Sequence, residues 1–497
     1  MVCSRALSVV MGVAICLLLG SRETLGGESE RMAGVVSAKS GNVAGNKTQT
    51  KRLSEFFGES TLLIAGGDIG GNVLHLVPNA LFVSSTNAAQ IFLMSEGRFV
   101  PTTGMLHQGR EMASATVLLD GRVLIAGGLQ CTNGILGSSC KALDTAELFD
   151  PKTGRFSVAG RKSGGRMVTA RAGHSATLIT GCACPADGKV LLAGGSSGKL
   201  STSLTGITSS VPSATAELYD PQQDRFVAIA ARMNVARQGH VAVRLANGRV
   251  LLAGGDDKGF FVHSLSSAEI FDPVKMAFSL TGSMNVPREL ARATVLAPEI
   301  VTGPLSGNVL ITGGLVARRR LDGWTESSAE LYDPESGRFR PVAGRMSSPR
   351  IYHSATLFRS GPLAGAVLVS GGLELRGDGT ARGVRQRSVA TADIFTPSLS
   401  DTGGFKATGS LNEARSGHAF LLLTGGPDDG EVLVAGGENC DGKNPSFCYV
   451  AGSPEDREAR NPAVAAELYD PTTGEWSPLK ANMPVPVCGG AYGAIQQ

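Results

Sequence analysis

Apolar residues in this chain come in short runs rather than at helical spacing. Seven such runs close on a Gly-Gly doublet, ending at Gly67, Gly128, Gly195, Gly255, Gly314, Gly372 and Gly437. The steps between doublets are 61, 67, 60, 59, 58 and 65 residues, and a recurring period of this kind marks a repeat architecture. A variable stretch follows each doublet. Then comes a run such as Ala146–Pro151, with equivalents at Ala216–Pro221, Ala268–Pro273, Ala329–Pro334 and Ala466–Pro471. A turn and a single aromatic follow (Phe156, Phe226, Phe278, Phe339, Phe405, Trp476), and then an Arg-x-x-His-like entry into the next apolar run. Each unit is predicted to hold four short strands, joined by Asp-Gly, Asn-Gly and Asp-Pro-x-x-Gly turns. No stretch shows sustained helical periodicity. Four antiparallel strands, repeated seven times, predict an all-β fold, a seven-bladed β-propeller. The first unit begins at Thr61 in the second-strand position. Its innermost strand is expected from Cys488–Ile495, so that the C-terminal strand closes the ring and removes its open edges.

The Gly-Gly doublet, the Tyr or Phe before Asp-Pro, the aromatic after the turn and Arg-x-x-His together resemble the kelch repeat, in the form of the galactose oxidase central domain. The resemblance runs from residue 58 to the C-terminus, with Phe usually standing where that repeat has Trp. It implies a propeller. It also raises a copper site of two tyrosines and two histidines, one tyrosine crosslinked to a cysteine. Tyr352-His353 matches that family's Tyr-His pair. The place before the His position holds Met112, Gly173, Gly239, Leu290 and Gly417 in other units, so no second tyrosine appears there. His75, His107 and His263 fall in no ligand motif. Neither a full copper set nor a Gly-x-Ser-x-Gly nucleophile elbow in a strand-to-helix setting is present. No catalytic residue, metal or cofactor is therefore assigned. A galactose-oxidase-like copper oxidase, or another enzyme at the channel mouth, is the alternative reading. A purely structural surface protein is the other.

The N-terminus adds a targeting signal. Arg5 precedes the apolar run Ala6–Gly20, which has signal-peptide length and is short for a membrane span. Residues 1–26 are read as a signal peptide, 27–57 as a flexible leader and 58–497 as the propeller. Secretion, to the extracellular space or the periplasm, permits disulfides. Cys131 with Cys140, and Cys440 with Cys448, bracket two loops and are expected to pair. Cys182 and Cys184 are read as a bridge or as reduced thiols in a turn, and the odd count leaves Cys488 as the free thiol. The formal net charge of +3 points to no nucleic-acid partner. No membrane contact is expected beyond the signal peptide, and a monomer is expected.

Candidate chemistry lies in the connections. Those between third and fourth strands are tight, whereas those after the doublets are long and varied. In a four-stranded meander the long connections gather on one face, where binding usually resides. Two of these loops are basic and adjacent in unit order. One carries Arg318, Arg319, Arg320 and Trp324; the other carries Arg376, Arg382, Arg385 and Arg387. A glycan or protein ligand is expected there, and an anionic partner such as an acidic polysaccharide suits these side chains. Arg110, Arg171, Arg237, Arg288, Arg350 and Arg415 recur at one register. Glu147, Glu217, Glu269, Glu330 and Glu467 recur at another, with Asp393 and Gln90 in the matching places. Repetition around a ring predicts structural pairing of these charges. His174, His240, His353 and His418, three residues after their arginines, are expected to be held by local hydrogen bonds.

Overall fold

The computed structural model describes residues 61–65, 85–93, 96–134, 137–203, 206–208, 211–259, 261–319, 322–378, 385–397, 402–424, 428–440, 448–450, 466–479 and 491–495. The signal peptide, the leader, Arg320, Arg382 and Cys488 lie outside them. The chain is all-β and propeller-like, built of antiparallel four-stranded sheets that follow the repeat. The sixth is representative, with strand order Ser354–Leu357, Val367–Ser370, Ala392–Thr396 and Gly404–Thr408. The first is composite. Thr61–Ala65, Ala89–Leu93 and Arg98–Pro101 are joined by Ala491–Ile495, which pairs with Thr61–Ala65 from Thr61↔Ile495 to Ala65↔Ala491.

The apolar tetrads before the doublets become second strands, such as Val123–Ala126, Val190–Ala193 and Val432–Ala435, buried at every position. They lack polar alternation because both faces of the sheet are covered. Successive side chains serve opposite neighbours. Val123 and Ile125 join a core with Leu63 and Ile91 of the first sheet, whereas Leu124 and Ala126 pack with Val190 and Leu192 of the third. The same division continues along the chain. One cluster unites Leu62, Ile64 and Phe92 of the first sheet with Ala419, Leu433 and Leu468 of the seventh. Each such Val, Leu, Ile or Phe side chain contributes about 1.5–3 kcal/mol on burial.

The two aromatics of each unit stand directly opposite in register. Tyr219 faces Phe226 with ring centroids 4.8 Å apart, and Tyr469 faces Trp476 at 5.1 Å. The turn between them is closed by its aspartate. The Asp333 carboxylate accepts the Glu335 N–H at 2.9 Å and the Ser336 hydroxyl at 2.6 Å.

The doublets need glycine for two reasons. Gly371 and Gly372 have φ of 61° and 114°, which side chains resist. A Cβ on Gly371 would also lie 2.7 Å from the Arg415 carbonyl oxygen, and one on Gly372 would lie 2.8 Å from that of Ile351.

Cys131 and Cys140 are bonded across a hairpin. Cys440 is disulfide-bonded and stands opposite Cys448 in register. Cys182 and Cys184 are bridged to each other rather than reduced. Ala183 between them adopts a φ of 47°, which lets the turn close.

The long connections are not independent loops. Leu129–Gly134 and Gly137–Ala142 form a hairpin that pairs with Lys199–Ser203 and Gly206–Thr208 of the next unit. Likewise Leu315–Arg319, Asp322–Thr325, Leu373–Asp378 and Arg385–Ser388 make one four-stranded sheet from the connections of the fifth and sixth units.

Candidate binding surface on the long-loop face

The recurring charges are buried and paired within their own sheets. Arg110 donates to Glu147 at 2.9 Å, Arg171 to Glu217 at 2.8 Å, Arg237 to Glu269 at 2.8 Å and Arg288 to Glu330 at 3.2 Å. Arg350 donates to Asp393 at 2.8 Å and Arg415 to Glu467 at 2.9 Å. The guanidinium also donates to the first doublet carbonyl, as Arg237 does to Gly254 O at 2.7 Å. The carboxylate in turn accepts backbone N–H groups from the crossover into its sheet. Glu269 takes Asn234 N at 2.7 Å and Val235 N at 3.0 Å. Each ion pair therefore ties the doublet, the third strand and the incoming chain together. This is a structural role, as the repetition predicts.

Three of the four histidines have a similar explanation, with hydrogen bonds that reach the neighbouring sheet rather than staying local. The ring of His174 lies against Gly127 of the preceding doublet, that of His240 against Gly194, and that of His353 against Gly313. Their Nε2 atoms pair with hydroxyl groups of the preceding sheet: Ser114 at 2.9 Å, Ser175 at 2.9 Å and Thr312 at 2.8 Å. Burial, helped by the Arg171 charge, pushes His174 down to about 3. Burial drives His240, His353 and His418 well below the ordinary imidazole range.

These depressed values fix the sign of a pH effect. The folded histidines stay neutral, while the unfolded ones take up protons below about pH 6.5. Their stabilising contribution is present above that pH and is lost as pH falls toward the folded values, by about 1.4 kcal/mol per unit for each histidine. Glu289 acts in the opposite sense. Burial first, then the neighbouring Asp256, raises its carboxyl well above the usual range, so its contribution is present at low pH and lost as pH rises above about 4.5. Four histidines outweigh it, and the melting temperature is expected to fall between about pH 7 and pH 5. Glu289→Gln should steepen that fall and raise stability at pH 7. A flat calorimetric profile would contradict neutral burial of the imidazoles.

Tyr352, half of the Tyr-His motif, is buried with a φ of 56°. Its neighbour His353 spends Nε2 on Thr312. Among the described residues no group of three or more His, Cys, Asp or Glu side chains is placed to hold a metal ion.

The basic residues converge. The sheet made by the fifth and sixth connections brings Arg318, Arg319, Trp324, Arg376, Arg385 and Arg387 together, although the two segments are far apart in sequence. Its inner side is anchored. Leu315, Thr325, Leu373, Gln386 and Ser388 are buried. The Thr325 hydroxyl donates to Leu375 O at 3.3 Å and accepts from Leu375 N at 3.1 Å. Ser388 donates to Glu438 O at 2.9 Å. The other side carries exposed Arg376, Arg385 and Arg387. Trp324 stands opposite Arg376, and Arg376 opposite Arg385, in one row. The Arg318 guanidinium lies 4.8 Å from the centre of the Trp324 ring, and the indole N–H is fixed by Glu326 at 2.7 Å. Arg319 and Arg387 are engaged, with Asp322 at 3.0 Å and Glu374 at 2.6 Å. The clustering of basic loops was legible in sequence. Their pairing, and the division between engaged and available arginines, was not.

Fold and surface together define an all-β, propeller-like protein with a basic, aromatic-containing sheet on its long-loop face. No family model matches the chain, and no curated protein matches it. It is similar to the solved structure of YjhT at 13% sequence identity, over 74% of this chain and 97% of that one, with a TM-score of 0.47. No helix among the described residues is long and apolar enough to cross a membrane.

Proposed function

We propose that this chain is a secreted, non-catalytic binding module, built as a closed ring of seven kelch-type blades, that holds a glycan or protein ligand on its long-loop face. The observation that carries the reading is the sheet formed by the fifth and sixth connections. Its anchored backbone displays Trp324, Arg376 and Arg385 in one row, and variable segments on a scaffold are where recognition resides. The disulfides suit an exported protein.

Three features support ring closure. The C-terminal strand pairs with the first described strand. The first and seventh sheets share an apolar core. The third lies in the ion-pair register. An arginine stands four residues before each innermost strand from Ser114–Val117 to Ala419–Leu422, but Val487 stands four before Ala491. The carboxylate that would face it is likewise absent, because Gln90 takes that place. Both members of the pair are missing from the one unit whose strands come from opposite ends of the chain.

The reading is tested by screening the purified chain on glycan and protein arrays beside a Trp324→Ala/Arg376→Gln variant. Binding by the parent and its loss in a folded variant are expected. An absence of any ligand for the parent would leave the structural-protein reading instead.

A further inference from the structure

We infer that the ligand of this sheet is an acidic polysaccharide, held through its sulfate or carboxylate groups by Arg318, Arg376 and Arg385; the inference rests on the binding reading above. Three observations lead to it.

Arg376 and Arg385 are exposed and directly opposite in register. Like charges at facing positions of a sheet are unfavourable. Neither has a carboxylate within ion-pair reach among the described residues, although Arg319 and Arg387 beside them do. A bound anion relieves the repulsion that the fold leaves in place.

The second observation is the pairing of Arg318 with Trp324 at 4.8 Å. An arginine laid on an indole keeps its N–H groups free at its edge, in the planar fork that matches sulfate or carboxylate. The ring is itself fixed through Glu326, so the guanidinium is positioned before any ligand arrives.

The third is extent. Trp324, Arg376 and Arg385 occupy three successive strands, a row about 10 Å long at the usual strand spacing. That length suits a run of charges on an extended polymer better than a single small anion. A protein partner would need a buried apolar anchor at the centre. On this face the aromatic is instead covered by Arg318. Nor is the chain basic overall, with a formal net charge of +3, as a nucleic-acid binder would be.

The test uses the full mature chain with heparin as the sulfated probe, polygalacturonate as the carboxylated one, dextran as the neutral control and polyglutamate as the acidic peptide. Affinities are measured by calorimetry across a salt series. Tight, salt-sensitive binding of heparin or polygalacturonate is expected, with dextran inert. Arg376→Gln/Arg385→Gln should weaken it at least about tenfold and reduce the salt slope by about two. Arg319→Gln/Arg387→Gln should change it by less than about threefold. Melting temperatures confirm that each variant is folded. The emission of Trp324, one of two tryptophans in the chain, reports occupancy directly. Heparin and polygalacturonate separate the two anion chemistries. Polyglutamate bound as tightly as the sugars, or dextran bound without salt dependence, would overturn the inference while leaving the binding reading intact. Failure to bind any glycan or array protein would remove both.

Discussion

Arg350→Met is expected to destabilise the chain by about 3–5 kcal/mol, the cost of leaving a buried charge without its partner. Arg350 is fully buried. It donates to Gly371 O at 2.9 Å, Thr391 O at 2.9 Å, the Thr391 hydroxyl at 2.8 Å and Asp393 at 2.8 Å. Burial lowers the guanidinium to about 10, so it remains charged at neutral pH. Without it, three carbonyl groups, those of Ser348, Gly371 and Thr391, lose a donor, and the Asp393 carboxylate keeps Ser347, at 2.9 Å to both its N–H and its hydroxyl. The double variant Arg350→Met/Asp393→Leu should be more stable than the sum of the two single losses, because it removes the stranded charge. Additive losses in a urea-unfolding double-mutant cycle would refute the coupling. An exposed pair such as Arg122–Asp120, at 2.7 Å, should show about 1 kcal/mol or less in the same experiment. Distance does not separate the two cases; solvent does.

Deleting residues 491–497 is expected to abolish cooperative unfolding and to produce aggregation. The deletion strips the partner from Thr61–Ala65 over five register positions. Leu62, Leu63 and Ile64 are each 1% exposed or less, and a bare apolar edge strand is a template for association. Size-exclusion chromatography and limited proteolysis read the outcome, and parent-like behaviour in both would refute closure by the C-terminal strand. The same closure predicts a second result. Gln90→Glu alone should destabilise by placing a carboxylate in a buried site. Combined with Val487→Arg it should cost less, because the pair would then match those of the other units.

Much of this architecture is readable one residue at a time. The doublet glycines announce positive φ and close backbone approach. The aromatic before Asp-Pro and the one after the turn announce a cross-strand pair. The arginine and glutamate registers announce a shared structural task. These signals are legible because each depends on neighbours a fixed number of residues away, and the repeat states them several times over. Other features gave weaker signals or none. The match between His174 and Gly127 links different units, and in sequence it shows only as two motifs occurring together. Cys182 and Cys184 are close in sequence whether bridged or free, and the bridge, with the left-handed turn at Ala183, is seen only in the structure.

The sequence by itself determined the all-β class, the strand order within each unit and the two basic segments. It could do so because short apolar runs and turn chemistry are local signals, and the repeat states them several times. Only the tertiary structure decided that the two basic segments join edge to edge. It also decided that Arg376 faces Arg385, that Arg318 lies on Trp324, and that Arg319 and Arg387 already have partners. Short hairpins with few apolar positions carry little hydrophobic pattern to specify their register. Their pairing is set instead by the four-stranded sheets of the repeat, which bring distant connections close enough to share one sheet.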